Sequence, residues 1–544
     1  MKQTPRWLWF ILCTVLLCTV LGGLYGRQVE ATTGADDSDV KNSLTELTRV
    51  YNVVEQNYAD VVDPDRAIYG VLPDQPGSET YVGAIPGALR SLDPHSNFYD
   101  PVSFSKLRED QEGKYYGVGM QIGPRPGKLG KLVIVVMFPI PGSPAFRAGL
   151  RPGDVIAKVN GESTDGMSVD QVARKLKGPK GTQVHITVTR EGYDQPLEFD
   201  ITRDEISQRS VDDVFMLKPG LAYIHINRFN ETTNDELTEA LKDLGEKNLQ
   251  GLVLDLRGNP GGLLQEAVEV SDHFLEKSQL IVYHQGRHSQ EKRYYTTKGD
   301  DGKEYPIVVL INRMTASAAE IVTGALQDHD RALVMGQPSF GKGLVQTVFP
   351  LSEHTGLALT TARYYTPSGR LIQRDYDNVS LYDYYYHPED SPTPHTDVRL
   401  TDGGREVYGG GGITPDVKYE EPKLTPAEET LLQHNALFEF GKYYLGIHKT
   451  IPHDFQATDA VLQEFRQFLA EQKIPLSDQD LKDNLDFIRT RIRVQLVDFI
   501  FGETEANRIG MENDPLVQKA IDDMPQASEL LAKAKRYIAS KSQR

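Results

Sequence analysis

The sequence predicts a multidomain chain of the α/β and α+β classes, in which a small β domain precedes an α/β core and an all-helical module follows it. Residues 252–256 and 307–311 are short apolar runs, each followed by a helical pattern, which predicts strand–helix units. Residues 113–190 alternate glycine-rich turns with short strand patterns, whereas apolar residues within 461–499 recur at helical spacing. A chain of 544 residues has room for about three or four such domains.

The N-terminal end is predicted to be a membrane anchor. Lys2 and Arg6 precede nineteen residues without charge, 7–25. As a helix, this stretch would be roughly 28 Å long, close to the thickness of the hydrocarbon core of a bilayer. The basic residues before it predict a cytoplasmic N-terminus and export of the remaining chain, and hence a single-pass inner-membrane protein whose main part is periplasmic. A cleaved signal peptide is the alternative, since VEA at 29–31 is an acceptable cleavage site.

Changes in pattern along the chain predict its domain boundaries. They place the anchor at 1–26, a polar linker at 27–38, a helical region at 39–110, the β domain at 111–205, the α/β core at 206–420 and the helical module at 421–544. The net charge of −18 argues against nucleic acid or an anionic membrane surface as the main partner. Cys13 and Cys18 both lie in the predicted anchor, so no disulfide within the remaining domains is expected. The sequence lacks metal-ligand spacing, and neither a metal nor another cofactor is predicted.

The predicted strand at 307–311 leads into a helix through a turn that contains Ser317. Small residues on both sides of the serine allow a sharp turn, which exposes its hydroxyl at the end of the strand. The N–H of Ala318, in the first turn of the helix, has no intrahelical partner and can stabilise an oxyanion. Ser317 and Glu320 also fit the S-x-x-E capping box, so the serine can instead be only a helix cap.

A second strand–loop–helix unit lies upstream, where the loop RGNPGG at 257–262 follows the strand at 252–256. Glycines at the end of a strand allow the backbone to approach a bound group closely. The N–H of Gly261 or Gly262 is therefore predicted to be a second oxyanion donor. An ordinary turn between strand and helix is the alternative.

The segment GQPSFGKG at 336–343 nearly matches the phosphate-binding loop G-x-x-x-x-G-K-[ST], but Gly343 replaces the hydroxyl residue and a strand pattern comes next. Nucleotide binding is therefore not predicted. Lys342 and Gln346 lie on the same face of that strand because side chains alternate with a period of two, so Gln346 can orient the lysine amine. Ser317 and Lys342 are together the parts of a nucleophile–base pair.

A serine hydroxyl is a weak nucleophile and needs an adjacent base. A lysine amine is a base only when neutral, which requires lowering its pKa from about 10.4 by roughly three units, or about 4 kcal/mol. Burial against apolar side chains can cause such a shift. His225 and His329 are the histidines that could replace the lysine, but no convincing orienting carboxylate accompanies either, and both are predicted to be packing or surface residues.

Residues 113–190 resemble a PDZ domain. The stretch YYGVGMQI at 115–122 has the glycine-rich loop and strand of a PDZ carboxylate-binding groove, and 141–156 resembles the segment SPA..AGL..GD.I. Residues 169–176 would form the groove helix. PDZ domains add a peptide strand to an exposed sheet edge and hold its terminal carboxylate on backbone N–H groups. The predicted peptide-binding residues are Gly117, Val118, Gly119 and Met120.

The order of these segments resembles that of the carboxy-terminal processing peptidases, also called tail-specific proteases, over residues 40–420. Further segments typical of this family are LDPHS at 92–96, LDLRGNPGG at 254–262, YTPSGR at 365–370 and GGGGITPD at 409–416. TASAAE at 315–320 departs from the SASASE of many members but keeps the central serine. The resemblance implies a crotonase-like ββα fold for the α/β core.

The resemblance also implies a role for each site residue. The implied roles are Ser317 as nucleophile, Lys342 as general base, Gln346 as its orienting partner, Ala318 with Gly261 or Gly262 as oxyanion donors, and Asp328 as a supporting acid. It predicts a membrane-anchored serine endopeptidase that recognises the C-terminal tails of exported proteins through its PDZ domain. A catalytically silent PDZ scaffold on a peptidase-like fold is the alternative, which retention of the serine, lysine and glutamine disfavours.

Two segments outside these motifs complete the prediction. TPAE at 425–428 is a capping box with proline at the first helical position, which marks the start of the helical module. Packing against the core and association with a second copy or an adaptor protein are both open roles for this module. Residues 382–394 are rich in tyrosine and proline and are predicted to be a surface loop.

Overall fold

The structure is a computed structural model that describes residues 41, 44, 45, 47–53, 68, 83–127, 131–190, 192–351, 354–377, 379–386 and 397–542. The chain divides into two compact units, residues 1–73 with 80–84 and residues 74–79 with 85–544. In the first unit, the described residues between 41 and 53 are helical. The second unit contains the domains discussed below.

The prediction of a single-pass inner-membrane protein is wrong. No helix among the described residues is long and apolar enough to cross a membrane. The predicted anchor at 1–26 and the linker at 27–38 themselves lie outside the described residues. The prediction used the length and hydropathy of one segment and the basic residues before it, and these properties do not distinguish a spanning helix from other apolar segments.

A short helical region precedes the β domain. It consists of α1 (Ala84–Arg90), β1 (Asn97–Tyr99) and α2 (Pro101–Glu112). The side chain of Asp100 caps α2 by accepting the N–H of Ser103 at 2.8 Å, and a proline stands in the first turn. The helix ends at Gly113, whose φ of +67° lies in the left-handed region that glycine adopts readily.

The β domain is an antiparallel sheet with two short helices. Its elements are β2 (Lys114–Gly117), β3 (Met120–Pro126), β4 (Leu132–Pro139), α3 (Pro144–Ala148), β5 (Val155–Val159), β6 (Glu162–Ser163), α4 (Val169–Leu176), β7 (Gln183–Thr189), β8 (Leu197–Thr202) and β9 (Asp204–Ser207). The strand order is β3-β4-β5-β7-β8, with β6 paired to β5. β3 is therefore an edge strand, and α4 packs beside it.

The α/β core comes next in the chain. Its elements are β10 (Val211–Lys218), β11 (Leu221–Ile226), α5 (Thr233–Asp243), β12 (Gly251–Asp255), α6 (Leu264–Asp272), β13 (Leu280–Gln285), β14 (Lys292–Tyr295), β15 (Ile307–Ile311), α7 (Ala318–Asp328), β16 (Ala332–Gly336), β17 (Leu344–Pro350), β18 (Gly356–Tyr365), α8 (Leu381–Tyr386), β19 (Val398–Leu400), β20 (Glu406–Tyr408) and β21 (Val417–Lys418). A short 3₁₀ helix spans Glu246–Asn248.

The C-terminal module is helical. Its helices are α9 (Pro426–Gln433), α10 (Ala436–His448), α11 (Asp459–Glu471), α12 (Asp478–Asp483), α13 (Leu485–Phe501), α14 (Glu503–Glu512), α15 (Pro515–Asp522) and α16 (Met524–Ser542). Helices α9 to α14 enclose an apolar core of their own, in which Phe440, Phe465 and Ile492 are buried. The capping box predicted at Thr425 is present at the start of α9.

The main sheet of the core has the order β10-β11-β12-β15-β16-β21, and all its neighbours after β10 pair in parallel. Helices α6 and α7 contribute to the apolar cluster on one face, and residues of α15 and α16 join the cluster on the other. Strands covered on both faces are apolar throughout, which explains the uninterrupted apolar run of β15. Packing of the module on the core is thus observed, while association with a second copy or an adaptor stays a prediction.

A second sheet carries the strand that comes after Lys342. Its order is β1-β18-β13-β14, and β17 pairs with β18. The pairing of β1 with β18 brings the segment just before Asn97 next to this sheet. The predicted fold class, a small β domain before an α/β core with a helical module after it, is confirmed.

Candidate active site

The predicted nucleophile lies in a strained turn between β15 and α7. Ser317 has a φ of +55°, a value that is uncommon for a residue other than glycine and costs about 1–3 kcal/mol. Its N–H donates to Glu320 Oε2 at 2.8 Å, and the Tyr364 hydroxyl donates to its carbonyl at 3.0 Å. The N–H of Ala316, just before it, donates to the carbonyl of Asn259 at 2.9 Å. The turn is therefore held by the core on both sides of the serine.

The glycine loop after β12 lies against this turn. A Cβ added to Gly261 would be 2.7 Å from Ser317 Cβ and 2.9 Å from the nitrogen of Ala318, so only glycine fits there. The Gly261 N–H donates to Asn259 Oδ1 at 2.8 Å. Gly262 is exposed, and within the described part of the chain its N–H makes no hydrogen bond. Of the two predicted oxyanion donors, Gly261 thus already donates its N–H within the loop, whereas Gly262 does not.

The predicted base is oriented by a hydrogen bond. Lys342 Nζ donates to Gln346 Oε1 at 3.0 Å, and Gln346 Nε2 donates to the carbonyl of His95. Burial lowers the pKa of Lys342 below its ordinary value, although the carboxylates of Glu320 and Asp93 oppose the shift. A lower pKa increases the fraction of neutral amine near neutral pH, which is the form that a base requires.

Glu320 and Tyr364 connect the predicted nucleophile to the predicted base. Besides the N–H of Ser317, the fully buried Glu320 carboxylate accepts the N–H of Gly341 at 2.7 Å and that of Lys342 at 2.9 Å. The Tyr364 hydroxyl lies within hydrogen-bond distance of the carbonyls of both Ser317 and Lys342. Two buried side chains therefore hold the two loops at a fixed separation. The sequence identified Glu320 only as part of a cap and did not single out Tyr364.

The LDPHS segment forms a turn beside the predicted base. Asp93 Oδ1 accepts the N–H groups of His95 and Ser96, both at 2.8 Å, which points the His95 carbonyl at Gln346. Burial, together with the nearby charge of Lys342, lowers the pKa of His95 to about 3, so this ring is neutral. The resemblance in this segment was the signal for its importance, but the sequence gives no mechanism for it.

Asp328 lies apart from the predicted nucleophile. It is three turns further along α7, roughly 16 Å from Ser317. Its carboxylate forms a fully buried ion pair with Arg370 at 2.7 Å and accepts the N–H of Ser368 at 3.0 Å. This position fits structural support of the helix and of the loop after β18 rather than proton transfer.

The two histidines that were considered as bases do have carboxylate partners. His225 Nδ1 lies 2.8 Å from Asp212 Oδ1, and His329 Nδ1 lies 2.6 Å from Asp402 Oδ2. Burial disfavours the charged form of His225. The hydrogen bond to Asp212 and the negative charges of Asp255 and Asp212 outweigh burial and raise the pKa of His225 to about 9. A histidine that is protonated at neutral pH cannot accept a proton, so His225 is not a candidate base.

Within the described residues, one group has ligand atoms close enough to share a metal ion. Atoms of Asp212, Asp213 and His225 lie within 4.8 Å of one another. The histidine already pairs with Asp212, and Asp213 accepts a hydrogen bond from Asn507 at 3.0 Å. These contacts account for the polar atoms of the group without an ion.

The loop predicted to bind a peptide carboxylate lies directly before β3. The carbonyl of Val118 accepts the N–H of Ala145 at 2.8 Å, and that of Gly119 accepts Ser143 Oγ at 2.6 Å. Gly119 has a φ of +75°, and an added Cβ would lie 2.4 Å from Ser143 Cβ. Val118 and Met120 are buried in the apolar core of the β domain. These contacts fix the loop between Gly117 and β3.

Comparison with known proteins places this site in a family. The sequence profile of peptidase family S41 matches residues 220–378, that of a PDZ domain matches 135–190, and that of the C-terminal helical domain of a probable PDZ-protease matches 427–478. The chain is 39% identical over 320 residues to the carboxy-terminal-processing protease of Bartonella bacilliformis, with 58% of this chain and 72% of that relative covered. The chain belongs to the carboxy-terminal processing protease family.

A second relative agrees with this assignment. A carboxyl-terminal-processing protease of Synechocystis is 37% identical over 341 residues, which cover 60% of this chain and 78% of that relative. The solved structure of a photosystem II D1 C-terminal processing protease is 32% identical to this chain. The match covers 62% of this chain and 81% of the chain in that structure, with a TM-score of 0.34. As a member of this family, the chain is a serine-type peptidase with a PDZ domain, and proteins or peptides are its substrates.

Proposed function

We propose that this peptidase cleaves by a Ser317/Lys342 mechanism and selects its substrates by their C-terminal tails. The observation that carries the mechanism is the connection of the two loops by Glu320 and Tyr364, with a desolvated lysine held by Gln346. A nucleophile and a base on separate loops act together only when their separation is fixed.

In the proposed reaction, neutral Lys342 Nζ removes the proton from Ser317 Oγ as the oxygen attacks the scissile carbonyl carbon. The N–H groups of Ala318 and Gly262 stabilise the negative charge that develops on the carbonyl oxygen. The lysine ammonium then gives its proton to the leaving amine, and an acyl-enzyme forms on the serine. Water, deprotonated by the same lysine, hydrolyses this ester and restores the enzyme.

The PDZ domain is the proposed site of tail recognition. A substrate tail would extend along the edge strand β3, beside α4, with its terminal carboxylate on backbone N–H groups of the loop at 117–120. Buried Val118 and Met120 border this loop, so an apolar last side chain is expected. The names of the relatives, carboxy-terminal processing proteases, agree with this direction of recognition.

The test uses the full chain and one unstructured protein substrate that carries the same tail either as a free acid or as an amide. The intact enzyme is expected to cleave the free-acid substrate faster at an unchanged internal site, and Ser317→Ala is expected to cleave neither. Cleavage by Ser317→Ala near the wild-type rate would refute the nucleophile. Equal rates on both tails would refute tail recognition, and tail binding without cleavage by the wild type would indicate the silent scaffold.

A further inference from the structure

The segment expected to be a surface loop instead places a tyrosine inside the protein. Tyr384, in α8, is only 1% exposed, and it lies in an aromatic cluster formed by His95, Phe340, Tyr376, Tyr384 and Tyr385. Phe340 stands two residues before Lys342, and its ring centroid is 5.5 Å from that of Tyr384. The aromatic cluster therefore packs directly against the loop that carries the base.

The Tyr384 hydroxyl reaches the base through two chains of hydrogen bonds. In the first chain it lies 3.0 Å from His95 Nε2, and the carbonyl of the same histidine accepts Gln346, which holds Lys342. In the second chain it accepts Gln373 Nε2 at 3.1 Å, and Gln373 Oε1 accepts the N–H of Gly343 at 2.8 Å. One hydroxyl thus supports both the side-chain partner and the backbone of the lysine.

The proton positions in this network are consistent with one another. Burial raises the pKa of Tyr384 to about 12, so its hydroxyl keeps its proton. Because the Tyr384 oxygen accepts a hydrogen bond from Gln373, its own O–H can donate a hydrogen bond to His95 Nε2. The neutral His95 ring then carries its proton on Nδ1. That nitrogen lies 3.4 Å from the Tyr385 hydroxyl, which itself donates to the carbonyl of Pro94 at 2.7 Å.

The Tyr384 ring is also fixed by a cation. The Arg374 guanidinium lies 4.5 Å from the ring centroid of Tyr384 and 4.7 Å from that of Phe340, and it donates to the Tyr384 carbonyl. Arg374 is buried, and it forms no ion pair with any residue in the described ranges. Contacts with two aromatic rings therefore replace a carboxylate partner, so this arginine ties α8 to the base loop.

We propose that Tyr384 is a positioning residue for the Lys342 base, acting through His95 with Gln346 and through Gln373 with Gly343. The inference rests on the proposed role of Lys342. The Tyr384 hydroxyl does not touch the substrate. Its effect is to keep the Lys342 amine in one orientation, shielded from water. Other titratable groups that face the amine are Glu320, Asp93 and His95.

The test compares Tyr384→Phe with the matched variant Tyr386→Phe, which removes a hydroxyl from the same helix at a side chain that is 68% exposed. The pH dependence of kcat/KM for a peptide substrate is measured on the full chain, together with thermal denaturation. Tyr384→Phe is expected to lower kcat roughly tenfold at unchanged KM. It should also move the acidic limb of the profile upward by about one pH unit, because a loosened lysine is better hydrated. Tyr386→Phe should match the wild type.

Gln373→Met provides a second variant in case Tyr384→Phe does not fold. It removes the chain of hydrogen bonds between Tyr384 and Gly343, and it should move the acidic limb in the same direction as Tyr384→Phe. A lower melting temperature with an unchanged acidic limb would show a merely structural role and overturn the inference. So would a Tyr384→Phe enzyme identical to Tyr386→Phe while Lys342→Ala is inactive. An active Lys342→Ala enzyme would instead refute the proposed function itself.

Discussion

The proposed nucleophile and the proposed base of this peptidase are held in different ways. Ser317 is positioned mainly by its own strand–turn–helix unit, through a positive φ and a hydrogen bond to a residue three positions later. Lys342 depends on partners from distant segments, since Gln346 is oriented by His95, 251 residues away in the sequence. Ser317 is thus held mostly by residues close to it in sequence, whereas the partner of Lys342 is itself held by a segment far away in sequence.

The two arrangements meet at Glu320. This side chain caps the helix that begins just after the serine and also accepts the N–H of Lys342, 22 residues further along the chain. Burial raises the pKa of Glu320, while its hydrogen bonds to Ser339, Lys342, Gly341 and Ser317 oppose that shift. Substitutions near Ser317 and substitutions near Lys342, the two residues that Glu320 joins, can therefore separate effects on the proposed nucleophile from effects on the proposed base.

The largest effect is expected at the base itself. Lys342→Ala and Lys342→Arg should each lower kcat by about a thousandfold or more, because alanine has no base and a guanidinium is always protonated. In the wild type, activity should rise with pH through the lowered lysine pKa, since below it the amine is charged. Steady-state kinetics across the pH range measure both effects. A Lys342→Arg enzyme of near wild-type activity would exclude the lysine as base.

The next largest effect is expected beside the nucleophile. The added methyl group of Gly261→Ala would lie 2.9 Å from the Ala318 nitrogen, where the oxyanion is expected. We expect kcat to fall by about 10²–10³, as for loss of an oxyanion donor. Gly258→Ala is the matched control, because Gly258 also has a positive φ, +72°, but an added Cβ meets no atom within 4 Å. Equal losses in the two variants would mean that backbone strain alone is responsible.

A smaller effect is expected where the two arrangements meet. In Glu320→Gln, one side-chain oxygen remains to accept the N–H groups that both carboxylate oxygens accept in the wild type. We therefore expect kcat to fall about tenfold and the unfolding free energy to fall by about 1–3 kcal/mol. Because the carboxylate raises the pKa of Lys342, its removal should move the acidic limb of the rate profile to lower pH. The exposed Glu239→Gln on α5 controls for the change in net charge. An unchanged limb would show that Glu320 does not act on the base.

The same comparison explains how much could be predicted from the sequence. The Ser317 turn, the Lys342–Gln346 pair and the glycine loop depend on neighbours a few residues apart, and such spacings are visible in a sequence. The contacts of His95 and Tyr364 with the site join segments that are far apart in the sequence and meet only in the folded chain. Composition misled the prediction for Tyr384, because a segment rich in tyrosine and proline gives no sign of which ring is buried. Hydropathy likewise led to the wrong prediction of an inner-membrane protein.

The smallest effect on kcat is expected at Asp328, at the end of α7. Asp328→Asn would leave the buried guanidinium of Arg370 without its charged partner, which should lower the unfolding free energy by about 3–5 kcal/mol. The kcat of the folded fraction should stay near that of the wild type, because this carboxylate is three helical turns from Ser317. Thermal denaturation and active-site titration separate the two quantities, with the exposed Asp243→Asn as the control. A hundredfold loss of kcat at an unchanged melting temperature would instead give Asp328 a part in the reaction.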